Sequence, residues 1–313
     1  MSDFKILRES DIEARMDMAT AIDLMRDAFV QISARSANVP VRTAMDDAKQ
    51  RGRVLFMPAY SPGYHLFGLK MVSVFPDNVK KGEPSIQGKM LVMDDETGTP
   101  LGLLDAENLT AIRTGAASGL ATDLLAHPDS NVLAIFGTGA QSKTQVAAIL
   151  KVRPIEEVLV FGTSKEKAQA FCDEMSTVHK AQFSVGSPTD LKRADIICTA
   201  TTSTTPVFEL EQLKPGVHIN GIGSYKPSIR EIPPQVIAKS LLVVDQREAA
   251  LSEAGDIVLA MEEGAIAADH IYAELGELVS GAKKGRTSDT QITVFKSVGN
   301  AVQDLALAAY LLK

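Results

Sequence analysis

Apolar side chains at Ile22, Met25, Phe29 and Ile32 recur every three or four positions and predict a helix over 19–34 with one buried face. The period then changes. Residues 53–60 (Arg-Val-Leu-Phe-Met-Pro-Ala-Tyr) and 66–75 (Leu-Phe-Gly-Leu-Lys-Met-Val-Ser-Val-Phe) read as strands separated by Ser61-Pro62-Gly63. Residues 89–94 and 99–105 flank Asp95-Glu96-Thr97-Gly98, a hairpin-type turn, and 107–126 reads as a helix. The first part is therefore an α+β arrangement. From Asn131 the rhythm becomes strand then helix, with β-prone segments at 132–136, 158–162, 181–185, 196–199, 217–222 and 241–244. That alternation predicts a doubly wound parallel sheet, so the chain as a whole reads as α/β. The last helix, 298–312, carries few charges and reads as packed. His127-Pro128-Asp129 punctuates the change of rhythm. The expected domains are 1–126, completed by 298–313, and 127–297.

Val132–Phe136 flows into Gly137-Thr138-Gly139-Ala140-Gln141-Ser142 and then a helical stretch. Strand, glycine turn and helix are the setting of a dinucleotide-binding turn. Gly137 permits the turn, Gly139 admits a pyrophosphate to the backbone, and the helix N-terminus offers N–H groups and partial positive charge. The plain alternative is an ordinary glycine-rich turn. At the end of the next strand, Gly162-Thr163-Ser164-Lys165 offers no acid before Glu166. NAD-specific sites often place an acid there for the ribose 2′-hydroxyl. Two hydroxyls and a lysine suit a 2′-phosphate, so NADP(H) is the expected cofactor and NAD(H) the alternative. Ser164 equally reads as the cap of the following helix. Thr199 and Thr201, after Ile196-Ile197-Cys198, are expected to line the cofactor.

Composition narrows the partners. The chain has 313 residues, 45% of them hydrophobic, and a formal net charge of −7. With no basic stripe and no Trp, nucleic acid is not an expected partner. An anionic substrate must then be met by local arginines and lysines. Cys172 and Cys198 are too few for a disulfide framework, which suggests a reducing, cytoplasmic setting. The start Met-Ser-Asp-Phe-Lys has no apolar leader, and no run is long enough to span a membrane. The five histidines show no metal-ligand spacing, so no metal is expected. Asp245, after 241–244, reads either as a strand-end site residue or as a helix cap. Lys70 stands in an otherwise apolar strand. Alternation puts Gly68, Lys70 and Val72 on one face and Leu69 and Met71 on the other. Such a lysine either reaches solvent or enters a cleft, where burial would lower its pKa and suit proton transfer.

Five segments, in order, resemble the ornithine cyclodeaminase/mu-crystallin family across nearly the whole chain. They are Gly-Leu-Lys-Met-Val (68–72), Leu-Thr-Ala-Ile-Arg-Thr-Gly-Ala-Ala-Ser (109–118), Gly-Thr-Gly-Ala-Gln-Ser-Lys-Thr-Gln (137–145), Ile-Asn-Gly-Ile-Gly-Ser (219–224) and Thr-Val-Phe-Lys-Ser-Val-Gly-Asn-Ala-Val-Gln-Asp (293–304). The resemblance implies hydride transfer between a nicotinamide and the α-carbon of an amino or imino acid. The family holds cyclodeaminases, alanine dehydrogenases, cyclic-ketimine reductases and the NADPH-binding mu-crystallin, typically homodimers paired through the substrate domain. It implies a substrate-binding and dimerisation domain over 1–126 and a Rossmann NAD(P)-binding domain over 127–297. By motif match, Arg42 and Arg113 would clamp the substrate carboxylate, because a guanidinium meets a carboxylate in bidentate fashion. Lys70 would be the substrate-contacting, catalytic lysine. Arg113, Thr114, Ile222, Lys296 and Ser297 would join the cofactor contacts.

Two departures decide the substrate class. Cyclodeaminases carry an aspartate just after the segment that here reads Asn220-Gly221-Ile222-Gly223-Ser224. Tyr225 takes its place and is expected to line the substrate. The acid that precedes their Met-Pro pair is also missing, since Leu55-Phe56 precede Met57-Pro58. Arg230-Glu231-Ile232 matches the ketimine reductases and alanine dehydrogenases, whereas Thr163 lacks the family's arginine. The predicted function is NAD(P)H-dependent reduction of a small cyclic ketimine carboxylate, of the Δ1-pyrroline-2-carboxylate to L-proline type. The alternatives are L-alanine dehydrogenase, ornithine cyclodeaminase, and a non-catalytic binder of NADPH and a small ligand.

Overall fold

The computed structural model describes residues 4–49 and 51–313; Met1-Ser2-Asp3, part of the start read above for a leader, lie outside them. The chain forms two compact units, Met1–Arg113 with Gly299–Lys313, and Thr114–Val298.

The first unit is built on a six-stranded sheet of β1 (Lys5–Leu7), β2 (Thr43–Asp46), β3 (Arg53–Ser61), β4 (Leu66–Val74), β5 (Ile86–Asp94) and β6 (Pro100–Asp105), in the order β1-β6-β5-β4-β3-β2. The strands β2 to β6 pair antiparallel, and β1 adds to β6 in parallel. Helices α1 (Glu9–Arg15), α2 (Met18–Ser33) and α10 (Ala301–Leu311) complete the unit, with α10 packed on α2, β3 and β4. Asp17 starts α2 by accepting from the Ala19 and Thr20 amides, and Ile22, Met25, Phe29 and Ile32 are all buried, as their spacing predicts. Gly68 sits under α10, where a Cβ would meet Leu305 Cδ1 at 2.9 Å and Met90 Cε at 2.7 Å. The other face of β4 presents Phe67, Leu69 and Met71 to solvent, opposite Tyr60, Pro58 and Phe56 of β3. The final helix begins at Ala301 rather than 298, because Gly299 takes φ +74°, outside the helical range.

The second unit holds β7 (Val132–Phe136), β8 (Glu157–Phe161), β9 (Gln182–Val185), β10 (Ile196–Thr199), β11 (His218–Gly221), β12 (Leu241–Val244), β13 (Ile271–Glu274) and β14 (Thr293–Lys296). These form one parallel sheet in the order β13-β12-β14-β11-β10-β7-β8-β9. Helices α4 (Ala140–Val152) and α5 (Lys165–Ser176) follow β7 and β8. The central strands β7 and β10 are buried on both faces: Phe136 and Ile197 enter one apolar cluster, Ile135 and Cys198 the other. The order reverses between β7 and β10, which makes their C-terminal ends the switch point where ligands of such sheets bind. The sequence pattern finds β7 to β12 but neither the edge strand β13 nor β14, a central strand. Its polar ends, Thr293 and Lys296, hide it, yet both are fully buried.

Helix α3 (Ala106–Leu125) runs through the change of unit at Arg113/Thr114, whereas the breaker signal placed the junction at 126/127. His127-Pro128-Asp129 ends the helix; the change of packing partners comes earlier. The carbonyl end of α3 is held by Arg153, which donates to Thr122 O, Asp123 O, Ala126 O and His127 O, and by Arg286, which donates to Leu125 O. These cations satisfy carbonyls that a helix end leaves open and oppose its negative dipole end.

Candidate functional site

In the first unit, strand alternation turns Lys70 inward between its cross-strand neighbours Met57 and Met90, and its side chain is 1% exposed. Its Nζ lies 2.6 Å from Asp304 Oδ2 and 3.2 Å from Thr110 Oγ1. Arg113, on α3, brings Nε to 3.4 Å from Asp304 Oδ1 and donates from Nη1 to Gln303 Oε1 at 2.8 Å. Arg42 Nη2 donates to Gly299 O at 2.7 Å. The three cations read from the sequence thus converge on the first turn of α10. One carboxylate among three cations leaves the cluster positive, which suits a carboxylate ligand. Burial pushes the Lys70 ammonium down to about 7; Asp304 opposes this, while Arg113 and Arg42 add to it. Sequence reasoning assigned Asp304 no role. The signal was the lone charge in the helix 301–311.

In the second unit, Gly137 turns the chain out of β7 with φ +108°, and a Cβ there would lie 2.4 Å from Ala200 O. Its freedom is used for close approach to the segment after β10. Gly139 is different: it has φ −90°, and a Cβ would meet nothing within 4 Å. It opens α4 with no side-chain cap, and Thr138 and Ala140 beside it reach the surface. An open glycine at a helix N-terminus beside the switch point fits a pyrophosphate. Gln141 is partly buried in the first turn of α4.

Near this turn, sequence-predicted residues join a buried polar network whose carboxylates, Glu231 and Asp256, had no assigned role. Glu231 accepts from Thr199 Oγ1 at 2.9 Å, Thr201 N at 2.6 Å and Gly223 N at 2.6 Å. It ties the ends of β10 and β11 together, and Ile222 N adds a bond to Thr199 O. Burial raises the Glu231 carboxyl and Lys296 opposes the rise. Lys296 turns its ammonium inward, 3.1 Å from both Asp256 Oδ2 and Gly221 O. Ser297 donates to Asp245 Oδ2 at 2.9 Å, and Val298 N donates to the same oxygen at 2.8 Å. Asp245 therefore anchors the segment after β14, while Gln246 occupies the N-cap of the following helix.

After β8, Gly162, Thr163, Ser164 and Lys165 are exposed, and Ser164 Oγ accepts from Lys167 N at 3.3 Å, capping α5. Thr114 is buried on α3. Tyr225 packs half-buried against the second unit's core, with the Lys226 ammonium 5.6 Å from its ring centre. His218 is structural: Nδ1 meets Thr293 Oγ1 at 2.9 Å and Nε2 meets Asn220 Oδ1 at 3.2 Å. Among the described residues no group of three His, Cys, Asp or Glu side chains is arranged for a metal, and no helix is long and apolar enough to cross a membrane.

The doubly wound sheet, with its first strand running into the glycine turn, puts the second unit in the Rossmann class. The chain belongs to the ornithine cyclodeaminase/mu-crystallin family, whose model matches residues 3–312. It is 43% identical over 287 residues to a Δ1-pyrroline-2-carboxylate reductase of Bacillus cereus, covering 91% of this chain and 88% of that one. It is 34% identical over 306 residues to an alanine dehydrogenase of Archaeoglobus fulgidus, covering 97% and 92%. The structure of Thermococcus litoralis Δ1-pyrroline-2-carboxylate reductase in complex with NADH and L-proline superposes with a TM-score of 0.94 at 39% identity, covering 98% of this chain and 96% of that one.

Proposed function

We propose that the protein reduces Δ1-pyrroline-2-carboxylate, or a cyclic ketimine carboxylate of similar size, to L-proline or its counterpart, with NADPH as the favoured reductant. The observation that carries the reading is the Lys70–Asp304 pair beside Arg113 and Arg42. The pyrroline-2-carboxylate reductases among its relatives support it.

One hydride and one proton add across the C=N bond. NADPH, when bound, would supply the hydride for the imine carbon. Arg42 and Arg113 hold the carboxylate and fix the ring. Lys70, protonated and hydrogen-bonded to Asp304, gives its proton to the imine nitrogen as that atom gains the electron pair. Asp304 keeps Lys70 charged enough to donate despite its burial. Lys70 then regains a proton from water. For the cofactor, residues Gly137 to Gln141 would cradle the pyrophosphate, and Gly162 to Lys165 would meet the adenosine ribose. Thr114, Thr201, Ile222 and Tyr225 would border the reacting end. Glu231, Lys296 and Ser297 would position that end through their buried partners.

The exposed Lys165 and the lack of any acid between Val158 and Lys165 favour NADPH; the capping role of Ser164 leaves its hydroxyl a smaller part in that choice. The apolar outer face of the first sheet, with Phe67, Leu69 and Met71 exposed, fits a second copy of the chain, so the working form is a homodimer. Both cysteines are free and buried, consistent with work in the cytoplasm. A second reading, alanine dehydrogenase, is supported by the Archaeoglobus relative and by a cationic cluster equally suited to the imine of pyruvate and ammonia. Steady-state oxidation of NADPH and NADH with Δ1-pyrroline-2-carboxylate, pyruvate plus ammonia, and ornithine plus the oxidised cofactors tests the proposal.

A further inference from the structure

Asn300 occupies the N-cap of α10, yet its side chain does not cap the helix. The residue is 5% exposed, and among the described residues neither Oδ1 nor Nδ2 has a hydrogen-bond partner. A buried amide left in this state is costly, and folded proteins retain few of them. Its neighbours in the chain meet the cation cluster. Gly299, immediately before it, accepts from Arg42, and a Cβ on Gly299 would lie 2.2 Å from Arg113 Nη1. Gln303 and Asp304, three and four positions on, share its side of the helix and touch Arg113 and Lys70. Gln303 Nε2 is also without a partner. Thus the face of α10 that meets the cations carries two buried amides with unpartnered donors, Asn300 and Gln303, beside Arg113 and Lys70.

We infer that Asn300 is a specificity-determining residue that reads the substrate carboxylate, its Nδ2 donating to an oxygen held by Arg113. The inference rests on the reading of this cluster as the carboxylate site. An amide donor adds a directed bond to the guanidinium's charge without adding a further cation beside Lys70, whose proton the reaction needs. Oδ1 remains to accept from the amine N–H that reduction creates on the product.

The test compares Δ1-pyrroline-2-carboxylate with 1-pyrroline, the same ring without its carboxylate. Asn300→Leu keeps the volume and removes both polar atoms. Losing a hydrogen bond to a charged group should shrink the kcat/KM preference for the carboxylated substrate on the order of 10- to 100-fold. The ligand-free Tm should stay level or rise, because no protein hydrogen bond is lost. Thermal stabilisation by L-proline with NADP+ should shrink in parallel. Asn300→Ser, smaller and still polar, gives the same comparison if the leucine variant folds poorly. An unchanged preference, or equal losses on both substrates, would overturn the role of Asn300. Arg113→Ala separates the two levels: if it too leaves the preference unchanged, the carboxylate site itself is misplaced; if it collapses the preference while Asn300→Leu does not, only the inference about Asn300 fails.

Discussion

Lys70 Nζ and Asp304 Oδ2 lie 2.6 Å apart, both buried, although 234 positions separate them in the chain. A lone ammonium there would shed its proton, and a lone carboxylate would take one up. Together, beside Arg113, they hold one transferable proton in an apolar setting flanked by Met57 and Met90. Breaking such a pair exposes the desolvation cost of the partner left behind.

The direction of proton transfer fixes a pH dependence. With Lys70 lowered to about 7, the protonated donor is lost as pH rises through neutrality. Reduction should therefore decline above about pH 7, and proline oxidation should rise over the same range. Asp304 raises the Lys70 pKa, so Asp304→Asn should move the decline to lower pH. Lys70→Ala should abolish the transition along with most of the activity. The profile of kcat/KM between pH 5.5 and 9.5 checks this, and a flat wild-type profile would count against Lys70 as the donor.

Two glycines two positions apart should behave oppositely. Gly139→Val enters open space at an ordinary φ, so the fold should survive while NADPH affinity falls steeply. Gly137→Ala meets Ala200 O and a left-handed φ, so it should cost stability first. Fluorescence titration with NADPH, alongside Tm, separates the two effects.

Much of this was legible because periodicity reports burial. The inward face of β4, the apolar stripe of α2 and the alternation after Asn131 all follow from it. What escaped was polar and buried. Glu231, Asp256 and Asp304 are fully buried charges whose partners are remote in sequence, and no local pattern announces a partner; the sequence marks Lys296 as a cofactor contact, but its pairing with Asp256 was not legible. The central strand β14 was hidden by the same device. Asn300 lies within the segment 293–304, but only the fold reveals that its amide is buried and idle.

Stability should carry its own pH signature. Burial first, then the positive charge of Arg286, depress His218 to about 3, so it stays neutral in the fold. The unfolded chain binds a proton there below about pH 6.5. Unfolding therefore takes up a proton as pH falls from that value toward the folded pKa, and stability is lost in that window. The slope is about 1.4 kcal/mol per pH unit. Between pH 7 and 5 the wild type should lose about 2 kcal/mol that His218→Gln does not lose. Urea midpoints at the two pH values measure it; equal losses would assign the acid sensitivity to other groups.

Cofactor choice should be sensitive to one exposed side chain. Lys165→Ala should raise KM for NADPH several-fold and leave NADH nearly unaffected, since an exposed cation acts mainly on the phosphate charge. Equal effects on both cofactors would remove Lys165 from the adenosine ribose site.

The most direct test is substrate class. By the motif match, Tyr225 and Leu55-Phe56 stand where a cyclodeaminase would place acids around a diamine, and Asp304 is already engaged by Lys70 and Arg113. Seating a distal ammonium among these cations costs several kcal/mol, and each 1.4 kcal/mol is about tenfold in rate. With purified wild-type protein, kcat/KM for Δ1-pyrroline-2-carboxylate reduction should exceed that for ornithine cyclisation by orders of magnitude. Efficient proline formation from ornithine, with negligible reduction of the imine, would contradict the account.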